Sequence, residues 1–220
     1  MPVSAKIERY VFNFNVWKYF LLLTGFTALT AFAFNFLFMS EGLYYQSFGE
    51  QLAADRIAKM IELSQKWQWV GYVLIPVIVV VRVCFTAICL YVGCFITGLN
   101  INFGKVFKVA LLADFVFVFA GITKLATLIF FKNVTTLSDL QFQPFSLLEA
   151  LGRSSVEPYF IYSLSLINLF ELIYWLVLAW LLTEAIGKSF GQSLKTVTSS
   201  YGTGLLLWVL FIMFLTINLT

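Results

Sequence analysis

The sequence predicts an all-α fold: an integral membrane bundle of five transmembrane helices with a short exterior amphipathic helix, in one domain over residues 1–220. Two observations support this prediction. Hydrophobic residues make up 61% of the chain and charged residues 11%, against about 25% charged in soluble proteins. The apolar residues fall into five runs, each near or above the roughly 20 residues needed to cross a hydrocarbon core of about 30 Å.

The five runs define the predicted spans. Pro76 is expected to kink the second and longest span near its start, or the last turns of that span leave the membrane. In the first span, Ala31-Phe32-Ala33 resembles a signal-peptide cleavage site, but the hydrophobic run continues through Phe34–Met39, which favours a retained anchor. The predicted spans are Lys18–Met39, Trp69–Thr97, Lys105–Phe131, Tyr159–Glu184 and Thr203–Leu219.

The loops after the first and third spans, which lie on the same side of the membrane, each contain a pattern typical of a helix. Gln51–Trp67 places apolar residues near one helical face, which is typical of a helix lying in the interface or of a short soluble helix packed on the bundle. Phe145–Leu151 is predicted to be a short surface helix, with Pro144 in its first turn and Gly152 as its stop. Glu157-Pro158 is expected to open the fourth span.

The distribution of Lys and Arg predicts the orientation. The N-terminal tail and the second and fourth loops carry seven Lys or Arg against two Glu. The opposite loops carry five Lys or Arg against seven Asp or Glu. Because short cationic segments remain in the cytoplasm, we expect a cytoplasmic N-terminus and an exterior C-terminus.

A short sequence pattern that occurs twice suggests that the chain contains two parallel helix hairpins. Phe103–Val109 and Phe190–Thr196 share the pattern Phe-Gly-x-x-x-Lys, and each segment leads from a loop on the same predicted side into the next span. Spans two and three would then repeat as spans four and five.

Four ionisable side chains interrupt the apolar runs: Arg82, Asp114, Lys124 and Glu171. Each costs about 2.5–3.5 kcal/mol near the bilayer centre, so the four should form a cluster that faces a partner, a cavity or water. Arg82 and Glu171 occupy nearly equivalent places in the suspected repeat and are predicted to pair. Asp114 could compete for the same guanidinium, and Lys124 could extend toward the headgroups.

The residue inventory argues against catalysis. The chain contains no histidine, which excludes Ser-His-Asp, Cys-His and His-bearing zinc sites. Cys84, Cys89 and Cys94 lie five residues apart in one span and point in different directions, so packing is their expected role. Gly187-Lys188-Ser189 lacks the first glycine of a phosphate loop. We therefore expect no enzyme activity, no cofactor, no nucleotide and no nucleic acid.

The layout resembles the Yip family of small Ypt/Rab-interacting membrane proteins. The resemblance rests on five spans, an amphipathic segment after the first, the Phe-Gly-x-x-x-Lys start of the third, and the fourth-span segment EPYFIYSLSLINLFELIYWLVLAWLLTEAIGKSFGQSLKTV. It implies the same topology as the charge distribution. Ala110–Asp114 stands where vesicle-traffic members carry Asp-Tyr and proline-bearing segments, so the resemblance implies a bacterial Yip-like member in the cytoplasmic membrane.

Two function classes follow from these features. The first is a non-enzymatic structural or interaction protein that organises membrane lipids or protein partners, which could include further copies of itself. The second is a small permease or channel subunit that uses Arg82, Asp114 and Glu171, because buried carboxylates can load and release protons. Equal numbers of positive and negative buried charges favour the first class.

Overall fold

The computed structural model describes residues 14–219. Within that range the chain is helical and contains no β-strand, and five helices are long and apolar enough to cross a membrane. The predicted all-α fold is confirmed, and the chain is a multi-pass integral membrane protein. Lys6, Glu8 and Arg9, which contribute to the charge distribution, lie outside the described residues.

Ten α-helices follow one another in the described range. Short 3-10 turns occur at Asp139–Gln141 and Arg153–Ser155, and a π-helical segment, Thr198–Gly202, joins the last two helices. The α-helices are α1 Val16–Phe38, α2 Glu41–Phe48, α3 Ala54–Ile96, α4 Phe103–Ala113, α5 Phe115–Phe130, α6 Leu147–Leu151, α7 Pro158–Leu166, α8 Leu169–Ile186, α9 Phe190–Val197 and α10 Thr203–Leu219.

Five segments are candidate membrane crossings: α1, α3, α4 with α5, α8, and the continuous run of α9, the π-segment and α10. An odd number of crossings places the two chain ends on opposite sides. We call the side with loops 97–102 and 187–189 the N-terminal face, and the side with loops 39–53 and 131–157 the C-terminal face.

The segment Gln51–Trp67 is not a separate amphipathic helix, contrary to the prediction. Residues from Ala54 onward form the first turns of α3, which continues without interruption through Pro76 to Ile96. Ile57 and Ile61 are buried where α2 packs on α3, while Met60 and Trp67 are exposed. No strong helix stop separates this segment from the span, so the helix simply extends. The short helix before α3 on this face is α2, which was not predicted from the sequence.

The fourth span is interrupted, whereas Tyr159–Glu184 was predicted to be one helix. Asn168 adopts an extended conformation and caps α8, its side-chain oxygen accepting from the backbone N–H of Glu171 at 2.9 Å. Competition between an Asn side chain and the backbone explains the new helix start. Proline stands at the start of α7 as expected.

The fifth crossing is longer than predicted. It begins at Phe190 instead of Thr203, because the side chain of Ser189 caps α9 by accepting from the N–H of Gln192. The π-segment carries the helix past Gly202 into α10. The crossing from Phe190 to Asn218 therefore has 29 residues, against 17 in the predicted span Thr203–Leu219.

The break between α7 and α8 is stabilised by the loop 131–157. The N–H of Leu147 donates to the carbonyl of Ile167 at 2.9 Å, and the N–H of Leu169 donates to the carbonyl of Phe145 at 3.2 Å. The short helix α6 begins at Leu147 behind its cap Ser146, so the prediction that Pro144 stands in its first turn is wrong. Gly152 ends α6 with a φ of 83°, as expected for a glycine stop.

The centre of the bundle is built from α3, α4, α8 and α9. Within each hairpin the two helices pack together, α3 on α4 and α8 on α9. Between hairpins, α4 packs on α8, while α3 packs on α9 and the π-segment. Helix α1 lies outside this core against α5 and α3, where Asn35 donates to the hydroxyl of Tyr72 at 3.2 Å.

Candidate functional site

Arg82 and Asp114 form a two-pronged ion pair inside the bundle. Nε of Arg82 lies 2.7 Å from Oδ1 of Asp114, and Nη2 lies 2.5 Å from Oδ2. The Asp114 side chain is completely buried, while 34% of the Arg82 side chain is exposed. The guanidinium also lies 4.5 Å from the ring centroid of Phe117. This fork geometry, with an aromatic ring beside it, is a favourable arrangement for a buried arginine.

Asp114 sits at the junction of two helices, and that position aims its carboxylate inward. Its N–H donates to the carbonyl of Ala110 at 3.0 Å, and its carbonyl accepts from the N–H of Phe117, three residues later, at 3.0 Å. The chain therefore tightens for one turn between α4 and α5. The junction places Asp114 opposite α3.

Glu171 lies in the first turn of α8, and its carboxylate is held by two neutral donors. Oε1 accepts from Nε1 of Trp175 at 2.9 Å and from the hydroxyl of Tyr201 at 2.9 Å. Tyr201 belongs to the π-segment, so this contact joins α8 to the fifth crossing. A carboxylate near a helix N-terminus is also favoured by the helix dipole.

Two further side chains connect these contacts. The hydroxyl of Tyr174 donates to Oγ1 of Thr86 at 2.9 Å, and both residues are buried. The Tyr174 ring lies 4.7 Å from that of Phe117 and 5.4 Å from that of Tyr201. We call the resulting set the polar layer; its members are Arg82, Thr86, Asp114, Tyr174, Glu171, Trp175 and Tyr201.

The predicted ion pair between Arg82 and Glu171 is wrong. Arg82 binds Asp114, the competitor that the sequence left open, and no ion pair joins Arg82 to Glu171 among the described residues. Glu171 is not at the middle of a span, since the break at Asn168 makes it the third residue of α8. Counted from the helix ends at the N-terminal face, Arg82 and Glu171 nevertheless lie at similar heights, about 21–22 Å.

Lys124 does not belong to the polar layer, although the sequence placed it in the same cluster. It lies on α5, where its Nζ is 5.4 Å from the ring centroid of Phe34 on α1. The predicted cluster of four charges is therefore a group of three, with Lys124 packed separately against an aromatic ring.

Four members of the polar layer were not predicted from the sequence: Trp175, Tyr201, Tyr174 and Thr86. Two signals were present. Trp175 is four residues after Glu171, the spacing at which helical side chains meet. Tyr201 is eleven residues after Phe190, just as Asp114 is eleven residues after Phe103.

The structure supports the suspected repeat. Helices α4 and α9 both start at the Phe of the shared pattern, each behind a capping side chain, Asn102 or Ser189. The contacts between hairpins follow an approximate two-fold relation, because each second helix packs on the first helix of the other hairpin. Residues 87 positions apart are buried alike: Val106 and Ser193, Val109 and Thr196, Ala110 and Val197, Asp114 and Tyr201.

In this repeat, Arg82–Asp114 and Glu171–Tyr201 are corresponding contacts: Asp114 and Tyr201 are 87 positions apart, and Arg82 and Glu171 are 89 apart. Each joins the first helix of a hairpin to the second helix of the same hairpin, at the place where the second helix is irregular. Comparisons with protein-family models, curated proteins and solved structures found no match to this chain. The functional interpretation therefore depends on the geometry of the polar layer.

Proposed function

We propose that this chain is a non-enzymatic membrane protein that organises lipids or protein partners, and that its buried charges hold the two helices of each hairpin together. The bond pattern of the polar layer carries the proposal. Two of the three guanidinium nitrogens of Arg82 donate hydrogen bonds to Asp114, and Glu171 accepts two hydrogen bonds from side chains of the bundle. Charges satisfied in this way contribute to packing and specificity.

We also propose that the chain is a bacterial Yip-like protein of the cytoplasmic membrane. Five crossings agree with the layout of that family, and the Phe-Gly-x-x-x-Lys segment opens the third crossing as the resemblance requires. The cytoplasmic N-terminus rests on the distribution of Lys and Arg alone.

Reporter fusions check this orientation. We expect fusions after Asn100 and Lys188 to report from the cytoplasm, and fusions after Gly49 and Asn133 to report from the exterior. The first pair lies on the N-terminal face and the second pair on the C-terminal face. The reverse pattern would refute the orientation, and an unequal result within either pair would refute five crossings.

A second candidate function is a small permease or channel subunit. The observation that favours it is that the polar layer coincides with three helix irregularities, at Asp114, at Asn168 and in the π-segment. Irregular helices at polar positions form the substrate sites of many transporters. The partial exposure of Arg82 offers a place where water or an ion could reach the layer.

Glu171→Gln separates the two functions. Glutamine keeps an oxygen that accepts from Trp175 and Tyr201 but removes the charge, and bonds to charged groups are roughly twice as strong as neutral ones. We expect a modest loss of thermal stability, a larger loss for Glu171→Leu, and wild-type proteoliposomes whose proton flux equals that of empty liposomes. A pH-sensitive dye measures the flux. Wild-type flux that Glu171→Gln abolishes without unfolding would establish the permease instead.

A further inference from the structure

A cleft of about 420 Å³ opens on the C-terminal face between the end of α1, the start of α2 and the adjoining part of α3. Three primary amides line it, those of Asn35, Gln65 and Gln68, together with the hydroxyls of Tyr44 and Ser64. The Tyr44 hydroxyl lies 2.9 Å from the Ser64 hydroxyl, which fixes one wall. Asn35 is held from the other side by Tyr72.

The charges of the lining select against anionic ligands. Glu41 is the one Asp, Glu, Lys or Arg side chain among the described residues that line the cleft. A phosphate group would meet this carboxylate with no Lys or Arg of the lining to balance it. Each amide, by contrast, offers both a donor and an acceptor, which matches neighbouring hydroxyl groups on a ring.

The surroundings indicate a ligand that enters from the membrane. Trp67, half exposed at the rim, is a residue typical of the membrane interface and presents an aromatic face. The apolar C–H face of a sugar ring can lie against such a surface. Phe36 and Leu37 are also exposed on α1, between Asn35 and Met39 of the lining, so apolar surface for an acyl chain lies beside the cleft.

We infer that this cleft binds an uncharged, polyhydroxylated ring, as found in the headgroup of a glycolipid or in a free sugar. The inference rests on the proposed function in one respect, since it identifies the lipid class that a lipid-organising protein would hold. The residues involved are separate from the polar layer, so each can be tested without disturbing the other.

Native mass spectrometry of the full chain released from nanodiscs tests the inference. The discs contain phosphatidylcholine with equal small fractions of monoglucosyl-diacylglycerol, phosphatidylethanolamine and phosphatidylglycerol. We expect the glycolipid to be enriched at least about tenfold over the other two minor lipids on the released protein. A second arm adds methyl glucoside to discs that lack the glycolipid.

Two cleft variants and one control define the site. A Cβ at Gly71 would meet nothing within 4 Å, so Gly71→Phe should fold normally while filling the cleft. Gln65→Ala with Gln68→Ala removes two amides that are exposed to solvent. Both variants should abolish the enrichment. Gly25→Phe, on α1 and equally free of close neighbours, should retain it.

The outcomes separate the possible sources of the ligand. Glycolipid enrichment that the cleft variants remove supports the inference with a lipid source. Binding of methyl glucoside alone, lost in Gly71→Phe, supports the same chemistry with a soluble source. Equal retention of all lipids, a preference for phosphatidylethanolamine or phosphatidylglycerol, or enrichment unchanged in both cleft variants would overturn it. The flux and stability assays on Glu171 are unaffected by any of these results.

Discussion

Arg82→Met should lower the free energy of unfolding by about 3–5 kcal/mol, because it leaves the carboxylate of Asp114 buried without its partner. Asp114 has no exposed side-chain surface, whereas a third of the Arg82 side chain is exposed. The reciprocal change, Asp114→Leu, should therefore cost less, since the guanidinium can still reach solvent or headgroups. Reversible unfolding of the purified protein in mixed micelles measures both effects.

The double variant decides whether the pair is real. Arg82→Met combined with Asp114→Leu should recover much of the loss, since no buried charge is then left alone. Arg82→Met combined with Glu171→Leu should show weaker coupling, because the two charges share no direct bond. Lys124→Met is the matched control, a cation that makes no ion pair among the described residues, and it should change stability little. Strict additivity of Arg82→Met and Asp114→Leu would contradict the pair.

Gly93→Leu should prevent the bundle from assembling. A Cβ at Gly93 would overlap Cβ of Ser200 and lie 2.6 Å from its Oγ, at the crossing of α3 and the π-segment. Because Cβ of Ser200 is fixed to its backbone, no rotamer change relieves the overlap and the helices must separate. Close approach through small residues is a common basis of helix packing in membranes. We expect the folded yield, measured by size-exclusion chromatography in detergent, to fall to a small fraction of wild type.

Gly71→Leu is the control for this substitution. It lies on the same helix, and its added side chain would project into open space. It should fold with wild-type yield, so that any loss in Gly93→Leu reports the helix crossing and not the cost of leucine in α3. Equal yields of the two variants would show that α3 and the π-segment do not approach closely.

The sequence predicts the fold class well because hydropathy is a property of long segments. Five runs of apolar residues can be recognised even when their ends are misplaced by several positions. All five correspond to candidate crossings. Local stereochemistry was also predictable where a single residue decides it, as with Gly152 and Pro158. Segment ends were less predictable, since caps at Asn168 and Ser189 depend on which of several polar residues competes with the backbone.

The candidate site was predictable in its charges but not in its bonds. Arg82, Asp114 and Glu171 stand out because ionised groups in apolar runs are costly. Which of them pair depends on how deep each residue lies in the membrane and on which way its helix face points. The helix break at Asn168 changes both for Glu171. Tyr201 gave one signal, its spacing from Phe190, but its inward direction depends on the π-segment, which the sequence did not predict.

Two backbone hydrogen bonds support the break before α8, and they determine which sequence changes the loop 131–157 can accept. Their donors and acceptors belong to the main chain of Phe145, Leu147, Ile167 and Leu169, so most side-chain replacements there leave the bonds intact. Proline at Leu147 or Leu169 is the exception, because it removes a donor. Loops usually accept insertions and deletions readily. Here one residue added or removed between Phe145 and Leu147, or between Ile167 and Leu169, would break the pairing, so among variants of this chain these two segments should change in composition while keeping their length.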